Sequence, residues 1–185
     1  MLIGGYKIRN QAAPHFLTLT VVEWVDVFTR ELYRSILLDS LRHCQQYKGL
    51  RLHAWCLMSN HFHIVAAAKN KDLSDVLRDF KKFTANRLLK AIRDNQKESR
   101  RKWMLQIFAE HGNVNLRNCE YQFWRQDNHP EELYSGPFAF QKIDYIHNNP
   151  VEAGIVSQPW EYLYNSARDY HYGKKCGLLD VDFLI

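Results

Sequence analysis

The sequence predicts an α+β fold: an antiparallel sheet with helices on one face, and one further helix late in the chain. Two kinds of pattern predict it. Short runs alternate apolar residues or are rich in β-branched types, and longer runs repeat apolar residues at helical spacing. Their order, strand–helix–strand–strand–helix–strand and then a helix, is that of a ferredoxin-like sheet.

Phe16 to Val22 (FLTLTVV) alternates and predicts the first strand. Residues 29–47 place Leu32, Ile36, Leu37, Leu41 and Cys44 on one helical stripe, which Gly49 ends. Residues 50–57 and 61–68 predict two strands joined by the turn Met58-Ser59-Asn60, hence a hairpin. Asp72 to Arg93 predicts an amphipathic helix, with Leu73, Val76, Leu77, Phe80, Phe83 and Leu88 as its apolar stripe. Residues 94–118 are polar and carry no clear pattern, and residues 120–124 predict a short strand. Pro137 opens a helix to about His147, because proline's fixed φ suits a first turn, and Pro150 stops it. The tail, with Trp160, Tyr162, Tyr164, Tyr170 and Tyr172, has the aromatic surface to pack back on the rest. Without repeats or low-complexity linkers, residues 1–185 read as a single domain, its core at 14–156 and a tail at 157–185.

Of the 185 residues, 46% are hydrophobic, which suits a real core and excludes a disordered chain. No run is long enough to predict a membrane span. Met1 to Lys7 lacks the charged start, apolar stretch and cleavage site of a signal peptide. A cytoplasmic location is expected, with Cys44, Cys56, Cys119 and Cys176 reduced; none forms a CxxC pair of the kind that builds a zinc knuckle. Net charge is +5 but uneven: Lys69 to Lys102 holds twelve Lys/Arg against five Asp/Glu. That basic region suits a phosphate-rich partner, and equally a solvated helix face.

Chemistry concentrates in two places. His61 and His63 stand two apart on a predicted strand, so both imidazoles leave one face and can share a metal ion. An HxH pair by itself reads first as two buried structural histidines with no ligand role. Farther on, Tyr145 and Asn149 stand four apart, one above the other on a helix. Ala139, Ile143 and Ile146 form that helix's apolar stripe, with Phe138, Lys142, Tyr145 and Asn149 on a more polar one beside it. A residue before proline is pushed from helical dihedrals, which puts Asn149 at a frayed end. Taken singly, Tyr145 also reads as a core tyrosine and Asn149 as a helix-end residue.

Met58-Ser59-Asn60-His61-Phe62-His63 resembles the Met-Pro-Asn-His-x-His signature of the single-tyrosine (Y1) HUH transposases, the IS200-like family. Tyr145-Ile-His-Asn-Asn-Pro-Val-Glu-Ala-Gly-Ile-Val156 resembles that family's tyrosine motif, in the form typical of the REP-associated tyrosine transposases. The segment from Trp160 to Tyr170 and Phe123-Trp124-Arg125 also fit, so the resemblance spans residues 14–172. Ser59 departs from it, standing where the family usually has proline.

The resemblance implies an HUH fold and a metal-dependent single-stranded DNA endonuclease and strand transferase. It makes Tyr145 the catalytic nucleophile, His61, His63 and Asn149 the metal ligands, and Mg²⁺ or Mn²⁺ the cofactor. Such enzymes form a 5′-phosphotyrosine link and free a 3′-hydroxyl. The implied partner is single-stranded DNA carrying hairpins at palindromic repeats, and both a monomer and a homodimer that swaps the tyrosine helix fall within the family. From the residues themselves, Lys81, Lys82, Arg87 and Lys90 are candidates for DNA phosphates. Lys142, one turn before Tyr145, is a candidate for a phosphate or for the tyrosine hydroxyl. Two other classes compete: a catalytically inactive module gripping hairpin DNA or RNA, and an unrelated metal hydrolase using HxH with water.

Overall fold

The computed structural model describes residues 7–114 and 120–184. Met1–Tyr6 and Cys119, read above for targeting and redox state, lie outside the described residues. In chain order the elements are β1 (His15–Thr20), α1 (Glu31–Tyr47), β2 (Leu50–Leu57), β3 (His61–Ala68), α2 (Leu73–Asp94), α3 (Arg101–Asn113), β4 (Glu131–Glu132), α4 (Gly136–Glu152) and α5 (Ala167–Tyr172). The strands form one antiparallel sheet in the order β2-β3-β1-β4, as in a ferredoxin-like fold.

Alternation sorts the side chains of this sheet into two cores. Leu17, Leu19, Phe62, Ile64 and Trp55 enter the larger one, closed by α1 and α2. Phe16, Ala54, Cys56 and Val65 leave the other face and meet Ala139, Ile143 and Ile146 of α4. Two helices therefore share one face, and the tyrosine helix covers the other. Trp55, Phe28 and Phe62 are fully enclosed, and truncating such a ring to alanine costs about 3–5 kcal/mol. Between α1 and β2, Gly49 turns at φ +73°, where a Cβ would strike the Lys69 carbonyl oxygen; only glycine suits that crossing. No helix among the described residues is long and apolar enough to cross a membrane.

Three expectations are corrected. Residues 120–124 form no strand of the sheet: Phe123 and Trp124 turn into the core, tied to the end of β1 by an isolated Val21–Trp124 bridge and by Arg125 N donating to Thr20 O at 2.8 Å. The fourth strand is instead the two residues of β4, too short to show a period. Within the unplaced stretch 94–118, residues 101–113 form α3, which buries Met104 and Phe108. Finally, Pro150 does not stop α4, which runs on to Glu152. A proline there forfeits the bond to the Ile146 carbonyl and crowds that carbonyl, within the last turn of the helix. Its ring is buried, and Ala153 N still donates to Asn149 O at 3.0 Å. Asn149 thus lies inside the helix rather than at a frayed end. The start is as expected, with Pro137 in the first turn and the Ser135 hydroxyl capping Phe138 N.

The tail lies along the outer edge of β2. Leu57 N donates to Tyr164 O at 2.8 Å, Ser166 N to Trp55 O at 2.9 Å and Asp182 N to Leu52 O at 2.8 Å. The Tyr162 and Tyr170 hydroxyls add bonds to Leu57 O and His53 O, at 2.8 and 2.7 Å. Trp160 stacks on His171, whereas Tyr172 remains exposed.

A buried carboxylate fastens the helices of the larger face. Glu98, between α2 and α3, pairs with Arg30 at the start of α1 and accepts from Arg100 Nε at 3.1 Å. Arg100 in turn pairs with Asp26 at 2.7 Å. Burial favours the neutral acid, but the hydrogen bonds from Arg30 and Arg100 prevail and hold the Glu98 carboxyl down to about 2. A depressed carboxyl pKa contributes stability above the ordinary glutamate range and loses it as pH falls through the folded value. Glu98→Gln is therefore expected to cost about 1–3 kcal/mol at neutral pH. Urea unfolding of the two proteins should converge as the pH is lowered from 4.5 toward about 2; a constant gap would exclude the ionised carboxylate as the source.

Candidate active site

β3 carries His61 and His63 onto the face covered by α4, as strand alternation requires. Their ring centroids are 4.6 Å apart at 75°. Tyr145 reaches His63 from α4 of the same chain, at 5.4 Å and 71°. On the far side, the indole of Trp24 meets His61 at 5.5 Å and 78°. Four rings thus stand in a row, Trp24–His61–His63–Tyr145, each edge-on to the next. Phe16 of β1 braces the row, stacked on His63 at 5.6 Å and edge-on to Tyr145 at 5.9 Å.

Burial varies sharply along it. His63 is 4% exposed, whereas Tyr145 is 47% and Trp24 50% exposed. Burial, then the neighbouring His61 imidazole, pushes the pKa of His63 down to about 3. Burial lowers that of His61 as well. Each Nδ1 has a neighbour: Thr18 Oγ1 at 2.9 Å for His63, and Asn60 Oδ1 at 2.7 Å for His61. An amide oxygen only accepts, so Asn60 fixes His61 as the Nδ1–H tautomer and leaves a lone pair on Nε2. Thr18, opposite His63 in the β1–β3 register, can serve His63 in the same way.

Asn149 lies one turn beyond Tyr145. Its Nδ2 donates to Tyr145 O at 3.1 Å. The same carboxamide lies within reach of both imidazoles and works against the lowering of their pKa values by burial; with Nδ2 turned to Tyr145 O, its oxygen is the atom available to a cation. Among the described residues, no three His, Cys, Asp or Glu side chains gather to hold a metal. The available donor set is two imidazoles and one amide oxygen. Its chemistry fits a divalent cation: the imidazoles are neutral, and their Nδ1 atoms are engaged as those of metal-bound histidines usually are.

The other sequence candidates separate. Lys142 binds Glu131 at 2.8 Å and lies over the Phe16 and Phe138 rings, at 4.7 and 5.4 Å, rather than on the tyrosine hydroxyl. His147, left without a role above, faces away: it is buried, bonded to Ser166 Oγ at 2.8 Å, and pushed by burial down to about 4. Lys82 and Lys90 line a trough of about 850 Å³ between α2 and residues 120–126, together with Arg93 and Arg125. Lys81 also lines it, but its ammonium is tied to Arg125 O and Asn128 Oδ1, both at 2.6 Å, and burial lowers its pKa to about 8. It shapes the 125–128 loop instead of offering a free charge. Arg87 points elsewhere, into a groove between α1 and α2 with Asp39, His43 and Asp79.

Sequence reasoning missed Thr18, Asn60, Phe16 and Trp24. Asn60 lay inside the motif, and the Thr-Leu-Thr alternation of β1 signalled a polar face. Trp24 gave no signal, since its place depends on left-handed backbone at Glu23 and Trp24, with φ of 51° and 54°.

A family model described as "Transposase IS200 like" matches residues 11–120, a span that holds both histidines and ends before Tyr145. No curated protein matches the sequence. Among solved structures, a REP-associated tyrosine transposase bound to a REP hairpin matches with a TM-score of 0.59 and 16% identity, over 100% of this chain and 94% of that one. A protein from Deinococcus radiodurans R1, assigned as a transposase, matches with a TM-score of 0.43 and 19% identity, over 77% and 96%.

The tautomer is directly measurable. In ¹⁵N NMR of the metal-free protein, His61 is expected as Nδ1–H, with Nε2 unprotonated, and His63 is expected to stay neutral in mild acid. Asn60→Ala should release the His61 tautomer toward the solution mixture; an unchanged spectrum would remove Asn60 from the site.

Proposed function

The chain belongs to the IS200-like transposase family, and from that premise we propose that it cuts and rejoins single-stranded DNA, with Tyr145 attacking a backbone phosphate beside His61, His63 and Asn149. The observation that carries this reading is the contact between Tyr145 and His63 within one chain. A phenol joined to an imidazole pair whose Nδ1 atoms are already engaged is the arrangement such chemistry needs.

The residues divide the work. Tyr145 is braced by Phe16 and His63 yet half exposed. Its hydroxyl can therefore receive a phosphate from solvent while the ring keeps its direction. The phenol oxygen forms a bond to phosphorus and gives up its proton. The bond from phosphorus to the 3′-oxygen breaks, and that oxygen leaves as a 3′-hydroxyl on taking up a proton. The 5′-phosphate stays on Tyr145. One ester is exchanged for another, so attack by a second 3′-hydroxyl reverses the step without ATP. His61, His63 and Asn149 would hold Mg²⁺ or Mn²⁺, which when bound neutralises charge on a phosphate oxygen. Asn60 and Thr18 keep the imidazoles turned for that purpose.

Hairpin-bearing single-stranded DNA is the proposed substrate. A solved structure that matches over 100% of this chain is bound to a REP hairpin, and the trough along α2 is lined by Lys82, Lys90, Arg93 and Arg125, cations suited to phosphates.

Incubation of labelled hairpin-bearing DNA with the protein and Mn²⁺ is expected to give a covalent adduct that survives boiling in detergent. Tyr145→Phe should bind the DNA and form no adduct. Cleavage that persists in this variant would sink the tyrosine mechanism in favour of water attack, and binding without cleavage by the parent would mark an inactive module. For affinity, Lys82→Ala should flatten the slope of log K against log salt by about 1. Arg87→Ala, on the other face, should leave the slope unchanged; the reverse pattern would move the DNA path to the α1–α2 groove.

A further inference from the structure

Trp24 takes no part in the chemistry above, and its placement is costly. Glu23 and Trp24 are consecutive non-glycine residues in the left-handed region, a conformation unfavourable for a bulky side chain unless its surroundings enforce it. Here they do. The segment is pinned at both ends to the turn before the histidines: Val21 N donates to Asn60 O at 3.0 Å, and Phe28 N to Ser59 O at 2.8 Å. Around it Val22, Val25 and Val27 are buried. The result is a large indole held half in solvent, against the first of the two imidazoles.

The space beside it adjoins the basic trough through shared lining residues. Trp24 lines a cleft of about 490 Å³ with Gln122, Arg125, Gln126 and Asp127. The trough along α2 is lined by the same Gln122, Arg125 and Gln126. Laid end to end, the two hollows offer a path from the indole, which meets His61, past the shared Arg125 and Gln126 to Lys82 and Lys90 on α2. Near its start, His111 engages Glu23 at 2.9 Å, and among the described residues Arg125 is the cation that lines both hollows beyond the indole.

We propose that this path holds the unpaired strand flanking the cleaved phosphate, with one base stacked on Trp24 and the following phosphates beside Arg125 and α2. The proposal rests on the strand-transfer reading given above. An exposed indole offers a stacking surface to any base, and a basic groove tracks the backbone; together these are the means by which proteins grip single strands. A duplex keeps its base faces hidden and could use the cations but not the indole.

The test uses Tyr145→Phe protein and equilibrium binding to a DNA hairpin with an oligothymidine tail, the same hairpin with an abasic tail, and the hairpin without a tail. The base-bearing tail is expected to bind more tightly than the abasic one, by about 5- to 150-fold for one stacked base. Adding Trp24→Ala should abolish that difference and leave the tailless hairpin unaffected, while Trp24→Phe retains part of it. Arg125→Ala should weaken both tailed probes alike. The platform is overturned if the parent does not distinguish the tails, if Trp24→Ala still does, or if Trp24→Ala weakens the tailless hairpin as much. Adduct formation by the wild-type protein is scored separately, so a failed nucleophile and a failed platform give different results.

Discussion

The site depends on the register of β1 against β3. Thr18 stands opposite His63 and Thr20 opposite His61 because Leu17 and Leu19 must enter the same core as Phe62 and Ile64. A slip of one residue would turn both imidazoles into that core and send the apolar side chains to the α4 face. The hydrophobic effect on one face thus decides where the chemistry points on the other. It also imposes a cost, the burial of His63, which the bond to Thr18 offsets.

The tyrosine helix answers to the same sheet. Ala139, Ile143 and Ile146 seat α4 on the second core, and His147 anchors it through Ser166. Tyr145 is left at the margin of the packed stripe, close to the imidazoles and open to solvent. Asn149 keeps its place one turn on because the helix continues through Pro150. Rigid seating beside an open approach lets a nucleophile be held in position and still be reached.

Much of this was legible in the chain. The β2–β3 hairpin and the two long helices followed from period and spacing, because alternation and helical stripes are local properties; spacing also put His61 with His63 and Tyr145 with Asn149, but their roles came only from the resemblance. What escaped was non-local. β4 has too few residues for a pattern, and the place of Phe123 and Trp124 depends on a bridge to the end of β1. Pro150 obeyed burial rather than propensity. Among the cations, Lys81 and Arg87 looked equivalent to Lys82 in the sequence, yet one is tied to a loop and the other faces α1; a charge count does not distinguish such positions. Thr18 became a partner of His63 only through strand pairing.

The tail has a meaning of its own. An uncovered outer strand is a template on which another chain can add a strand. Here the rim beyond β2 is already occupied by backbone bonds from residues 164–166 and 182, and on the opposite rim β4 covers His15 and Phe16 of β1 while Thr18 N donates to Asn128 O and Arg125 N to Thr20 O. Growth of the sheet across a neighbouring molecule at β2 would first have to peel this segment away. The last stretch of the chain therefore acts as a fender against sideways polymerisation, and a molecule trimmed of it would present a sticky border.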